Sequence, residues 1–99
     1  MLNSRQRAQL RGLANRAETI LYIGKSGVGE QVIKQAADAL EARELIKAKV
    51  LECAPLDSRD AANQVADATG SDVVQVIGNK FILYRRSDNE KNRSIVLVK

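Results

Sequence analysis

The apolar run Thr19-Ile20-Leu21-Tyr22-Ile23 stops at Gly24, and a helical pattern begins near Val28. A strand that turns at once into a helix must bring the chain back across the sheet. The next strand-like stretch, Leu45–Glu52, therefore lies parallel to the first, reached by a right-handed crossover. The crossover helix, about Val28 to Arg43, carries Val32, Ile33, Ala36, Ala37 and Leu40 on one side, with Gln31, Lys34, Gln35, Asp38 and Glu41 opposite. In Leu45–Glu52 the apolar Ile46, Ala48 and Val50 alternate with Lys47, Lys49 and Leu51, which places both lysines on one face of the sheet. Thr19–Ile23 shows almost no alternation and reads as a strand buried on both faces.

The rest of the chain adds elements on either side of this unit. Asn3 followed by Gln6 forms a capping-box pattern for a first helix, with Leu10, Leu13, Ala14 and Ala17 as a narrow apolar stripe. Gly12 within that helix costs about 1 kcal/mol relative to alanine. Cys53 to Asp57, with the only proline at Pro55, reads as an exit loop. Asp57 and Asp60 then suit the start of a third helix with a small inner face of Ala61, Ala62, Val65, Ala66 and Thr69, closed by Gly70. Val73–Ile77 and Phe81–Arg85 flank a Gly78-Asn79 turn and form an antiparallel hairpin. The order is αβαβαββ, an α/β (α+β) single domain with a mixed four-stranded sheet packed by helices. The domain is expected over 1–86, followed by a polar tail, 87–99, that ends in an apolar run. Arg86–Arg93 reads as mobile, and Ile95–Val98 as either a short edge strand or a tail packing against a partner.

Ninety-nine residues support one core. No run approaches the roughly 18 apolar residues of a membrane span, and the polar, basic start Asn3–Arg7 is unlike a secretory signal. The lone Cys53 cannot pair within the chain, which suits a reducing cytoplasm, and it is expected to fill the end of a strand. The net charge of +4 is unevenly spread. Residues 1–29 hold five basic side chains against one acidic, 30–72 hold five against nine, and 73–99 hold six against two. If the fold joins the two ends, one surface becomes electropositive and suits nucleic acid.

The chemistry-bearing candidates are few. There is no histidine, which removes the usual general base near neutral pH and, with one cysteine, the common zinc ligand sets. Asp57 and Asp60 are explained by helix capping, and Ser26 has no activating neighbour in sequence. No enzyme activity, cofactor, metal or small-molecule substrate is expected. Gly24-Lys25-Ser26 is not a nucleotide P-loop, because Thr19 stands where that motif needs its first glycine. A dinucleotide fingerprint fails at Val32 in the same way. What remains is the shorter pattern Gly24-Lys25-Ser26-Gly27, of the kind that KH-type domains use to clamp an RNA backbone. Glycine at both ends permits positive φ and close approach to a ligand, and Lys25 adds a charge. Helper charges are expected from Arg7, Arg11, Lys47 and Lys49, although the two lysines also read as solvated residues of an open sheet face. With Tyr22, Phe81 and Tyr84 as the only aromatics, a stacking platform has little support, and these three read as core or edge residues.

Leu10-Arg11-Gly12-Leu13-Ala14, Ile23-Gly24-Lys25-Ser26-Gly27-Val28, Glu44-Leu45-Ile46-Lys47, Val74-Gln75-Val76-Ile77-Gly78 and Leu83-Tyr84-Arg85 occur in this order over about residues 2–86. In these pieces the chain resembles the CRM domain (chloroplast RNA splicing and ribosome maturation), in its free-standing bacterial, YhbY-like form. The resemblance implies a fold related to the C-terminal domain of translation initiation factor three. It implies RNA binding without catalysis, in the cytoplasm, on ribosomal RNA of large-subunit precursors, with Gly24, Lys25, Ser26 and Gly27 as the family's loop. Gly29 departs from the threonine or similar small polar residue common there. A monomer is expected. The competing reading is a protein–protein adaptor that uses the apolar Ile95–Val98 tail or the acidic second helix.

Overall fold

A computed structural model describes residues 2–93 and 95–98. Its elements are α1 (Ser4–Ala14), β1 (Thr19–Ile23), α2 (Glu30–Arg43), β2 (Leu45–Val50), α3 (Ser58–Thr69), β3 (Asp72–Ile77) and β4 (Lys80–Tyr84), then a 3-10 turn at Glu90–Asn92. The sheet order is β1-β2-β4-β3. β1 and β2 are parallel, as the crossover requires, and β3 and β4 form the antiparallel hairpin. β4 inserts antiparallel beside β2, so β3, although parallel to β2, reaches the sheet edge.

Two apolar clusters fill the two faces. On one face α2 and α3 cover Leu21, Ile23, Ile46, Ala48, Val50, Phe81 and Leu83. The small inner face of α3 is buried throughout, which lets that helix lie close to the strands. Asp57 caps α3 by accepting from the Asp60 amide, and Gly70 ends it at φ 68°. On the other face α1 buries Leu10 and Ala14 against Val74, Ile82 and Tyr84. The Asn3–Gln6 capping box is present. α1 ends at Ala14, so Ala17 falls beyond it, and Leu13 is turned to solvent at 43% exposure.

Two further expectations about the strands change. β1 is a sheet edge rather than a strand buried on both faces, and Tyr22 on it is 53% exposed. Its continuous apolarity arises because Ile20 and Leu21 both pack toward the α2/α3 cluster across an irregularity in register. Cys53 lies exposed in the β2–α3 loop, since β2 already ends at Val50.

The chain after β4 is anchored rather than loose. Ser87 is fully buried; its amide donates to the Glu44 carboxylate at 2.9 Å, and its hydroxyl donates to Glu41 at 2.7 Å. Glu44 ends α2 at φ 66°, a conformation costly for a side chain other than glycine. Its carboxylate also accepts from Ile95 N. Ile95–Val98 forms no strand, and it lies along α1. The Gln9 side chain brackets it, donating to Val96 O at 2.8 Å and accepting from Val98 N at 2.9 Å, while Ile95 and Leu97 join the α1 cluster.

Candidate nucleic-acid interface

The segment between β1 and α2 is a tight turn. Gly27 N donates to Gly24 O at 2.9 Å, so Lys25 and Ser26 are the two central residues, both exposed and both at negative φ. The two glycines differ in kind. Gly27 is buried at φ +68°, and a Cβ there would lie 3.2 Å from Pro55 Cγ and 3.7 Å from Leu56 Cδ2. It shapes the turn and seats it on the β2–α3 loop. Gly24 needs no positive φ, and its Cβ would meet only Leu51 Cδ1 at 3.9 Å. Its missing side chain is therefore not demanded by the fold, which leaves room for a ligand to approach the backbone. α2 follows with Gly29 as N-cap, and no side chain caps its first turn.

Lys47 and Lys49 sit as expected on one face of β2, the face on which α1 packs. Lys47 is paired with Ile82, and Lys49 with Tyr22 on one side and Lys80 on the other. α1 covers this face over Leu45, Ile82 and Tyr84 and leaves its end nearest the Gly24–Gly27 turn open. There the register sets Tyr22, Lys49, Lys80 and Ile77 side by side across all four strands. Tyr22 and Ile77 are 53% and 58% exposed. A shallow hollow of about 110 Å³ joins Lys47 and Lys80 to Asn15, just past the end of α1. Arg7 and Arg11, one helical turn apart and both exposed, lie on a stripe of α1 that leads to Asn15. Arg11 thus stands nearer to the lysines than Arg7 does.

The packing of α1 across β3 and β4 brings the basic ends of the sequence together. α1 carries Arg5, Arg7 and Arg11 and no acidic residue. The outer surfaces of α2 and α3, on the opposite face of the sheet, expose Glu30, Asp38, Asp60 and Asp67. Among the described residues only Arg85 and Arg93 form ion pairs, so Lys25, Lys47, Lys49 and Lys80 have no carboxylate partner there. Glu41, by contrast, is committed. The Ser87 hydroxyl bond, reinforced by backbone N–H groups near Asn89 and by Arg85, holds its carboxyl below the usual range against a smaller opposing effect of burial.

The CRS1/YhbY (CRM) domain model matches residues 2–85, a range that takes in all three helices and all four strands. The chain belongs to the CRM domain family. The probable RNA-binding protein YqeI of Bacillus subtilis is 43% identical over 91 residues, covering 92% of this chain and 95% of that protein. An RNA-binding protein of Haemophilus influenzae is 32% identical over 90 residues and covers 91% of each chain. The solution structure of a Staphylococcus aureus protein superposes with a TM-score of 0.78 at 42% identity, covering 97% of this chain and all of that one. The CRM match ends one residue after β4, and the anchored segment from Ser87 onward lies outside it.

Sequence reasoning left Lys80 and Tyr22 out of the site. Lys80 follows the hairpin turn and has no motif around it. Only the non-local β2–β4 pairing puts it opposite Lys49.

Proposed function

We propose that this CRM domain binds RNA through its phosphate backbone, with the Gly24–Gly27 turn and Lys25 as the primary contact and Lys47, Lys49 and Arg11 as supporting charges, Arg7 contributing at longer range. The observation that carries this reading is the exposed turn, with Lys25 at its tip and a sterically unneeded glycine at Gly24, leading out of a sheet on one face of which lie Lys47, Lys49 and Lys80, none with a carboxylate partner among the described residues. Phosphate contacts give affinity with little base specificity. Together with the resemblance to free-standing bacterial members, this supports a role in the cytoplasm as a factor that binds ribosomal RNA in large-subunit precursors and assists their assembly. No catalytic step is assigned. Among the described residues, no helix is long and apolar enough to cross a membrane. The adaptor reading loses part of its basis, because Ile95 and Leu97 pack into the domain itself and only Val96 and Val98 of the apolar tail are left exposed.

The test is the affinity of a ribosomal-RNA fragment against salt concentration, for wild type and for Lys25→Ala combined with Gly24→Asp. Gly27 is unsuitable, because substituting it disturbs the fold. The expected slope for single-stranded contacts is about −0.7 per phosphate neutralised, and the variant loses most of the affinity while still folded. A folded variant that binds as tightly as wild type would overturn the assignment of the turn. Co-sedimentation of the wild type with large-subunit precursors in a lysate gradient, lost in the variant, tests the assembly role.

A further inference from the structure

Lys49 and Lys80 are direct cross-strand partners in the antiparallel β2–β4 pair, where side chains stand roughly 5 Å apart. Like charges so placed oppose folding, and among the described residues neither lysine has a carboxylate partner. Beside them in the same row is Tyr22, half exposed on the edge strand, with no hydrogen bond to its hydroxyl among the described residues. Tyr22 lies two residues before Gly24, so the row begins where the turn begins. The other two aromatics, Phe81 and Tyr84, are buried.

Resting on the RNA reading above, we propose that this open row is a platform for single-stranded RNA, on which Tyr22 stacks one unpaired base while Lys49 and Lys80 hold the adjoining backbone. A polyanion lying between the two lysines turns their mutual repulsion into attraction for the ligand. The aromatic face supplies what phosphate contacts lack, a preference for bases free to unstack over bases locked in a duplex. The charge argues for nucleic acid rather than a protein partner, because the row contains two lysines and no acidic residue.

The chain has no tryptophan and two tyrosines, Tyr22 exposed and Tyr84 buried, so quenching of tyrosine emission that is lost in Tyr22→Phe reports on the platform, while the affinity of every variant is read from the anisotropy of a labelled RNA. A short single-stranded oligoadenylate and an RNA duplex of equal length are titrated into wild type, Tyr22→Ala, Tyr22→Phe, Lys80→Ala and Lys25→Ala, each checked for folding by circular dichroism. In the expected result, oligoadenylate quenches the wild-type emission. Tyr22→Ala weakens single-strand binding about tenfold with duplex binding unchanged, and Tyr22→Phe restores it. Lys80→Ala lowers the single-strand salt slope by about 0.7. If Tyr22→Ala binds oligoadenylate like wild type while Lys25→Ala is weakened, the platform is refuted and the turn assignment stands. If wild type binds neither RNA, both readings fall, and the row is better explained as a protein-docking surface.

Discussion

Replacing Gly27 by alanine tests whether the turn has the geometry described. At φ +68° an L-residue is strained by roughly 1–2 kcal/mol. The new Cβ would also lie 3.2 Å from Pro55 Cγ, a contact that closes only if the β2–α3 loop gives way, at about 1 kcal/mol by analogy with mild overpacking. The sum, about 2–3 kcal/mol, corresponds in a domain of this size to a melting temperature lower by roughly 10–20 °C. Thermal unfolding followed by circular dichroism measures it, and two other glycines supply controls of opposite sign. Gly12 sits in α1, where a Cβ would meet nothing within 4 Å, so Gly12→Ala is expected to stabilise by up to about 1 kcal/mol. Gly29 is the extended N-cap of α2 in open space, so Gly29→Ser gains a few tenths of a kcal/mol by capping. A Gly27→Ala protein that melts within about 3 °C of wild type would refute the left-handed turn and its seat on Pro55.

Glu44→Ala should destabilise by about 2–3 kcal/mol despite relieving nothing at φ 66°, because it strands the buried Ser87 amide and releases Ile95, and chemical denaturation reads that loss. Limited proteolysis of the same variant should show new cleavage after Arg85, where wild type is protected. The lowered Glu41 carboxyl gives a pH dependence of known sign. Its contribution to anchoring the segment is complete above the unfolded value of about 4.3 and is lost as pH falls through the lower folded value. The Asn89 amide, which donates to Glu41 at 3.0 Å, should therefore titrate with a midpoint below about 4.3 by NMR, and Glu41→Gln should abolish that titration. A midpoint at or above that value would contradict the bonding described.

The elements that sequence made legible are those whose signals are local. The Asn3–Gln6 box, the Asp57 cap, the Gly70 stop and the Lys47/Lys49 alternation depend on neighbours within one turn or one strand, and the structure has each of them. What sequence could not show is where one strand lies beside another. Thr19–Ile23 looked doubly buried because continuous apolarity is the mark of a central strand. The same run arises at an edge when a register shift turns two successive residues inward. The polar run after β4 was illegible for the complementary reason. Ser87 is a surface residue by type, and only the Glu41 and Glu44 carboxylates, more than forty positions away in sequence, give it a buried place.

The same division runs through the candidate interface, and it bears on how far a short motif can be trusted. Gly24-Lys25-Ser26-Gly27 was visible as a pattern, yet the pattern treats its two glycines as equals. In the fold Gly27 is required by the backbone, so its presence is accounted for with no ligand at all, whereas Gly24 is required by nothing within 3.9 Å. The part of the motif that speaks for RNA is thus Gly24 with Lys25. It gains weight from features the motif does not contain, the cross-strand lysines of β2 and β4 and Tyr22, which share a face through the strand register and stay uncovered because α1 stops short of them. A surface assembled from a turn, strands β1, β2 and β4 and a helix end depends on the β2–β4 pairing to bring Lys80 beside Lys49. Loss of binding in a folded variant that combines Lys49→Ala with Lys80→Ala, with the turn untouched, would show that the turn alone is not the site.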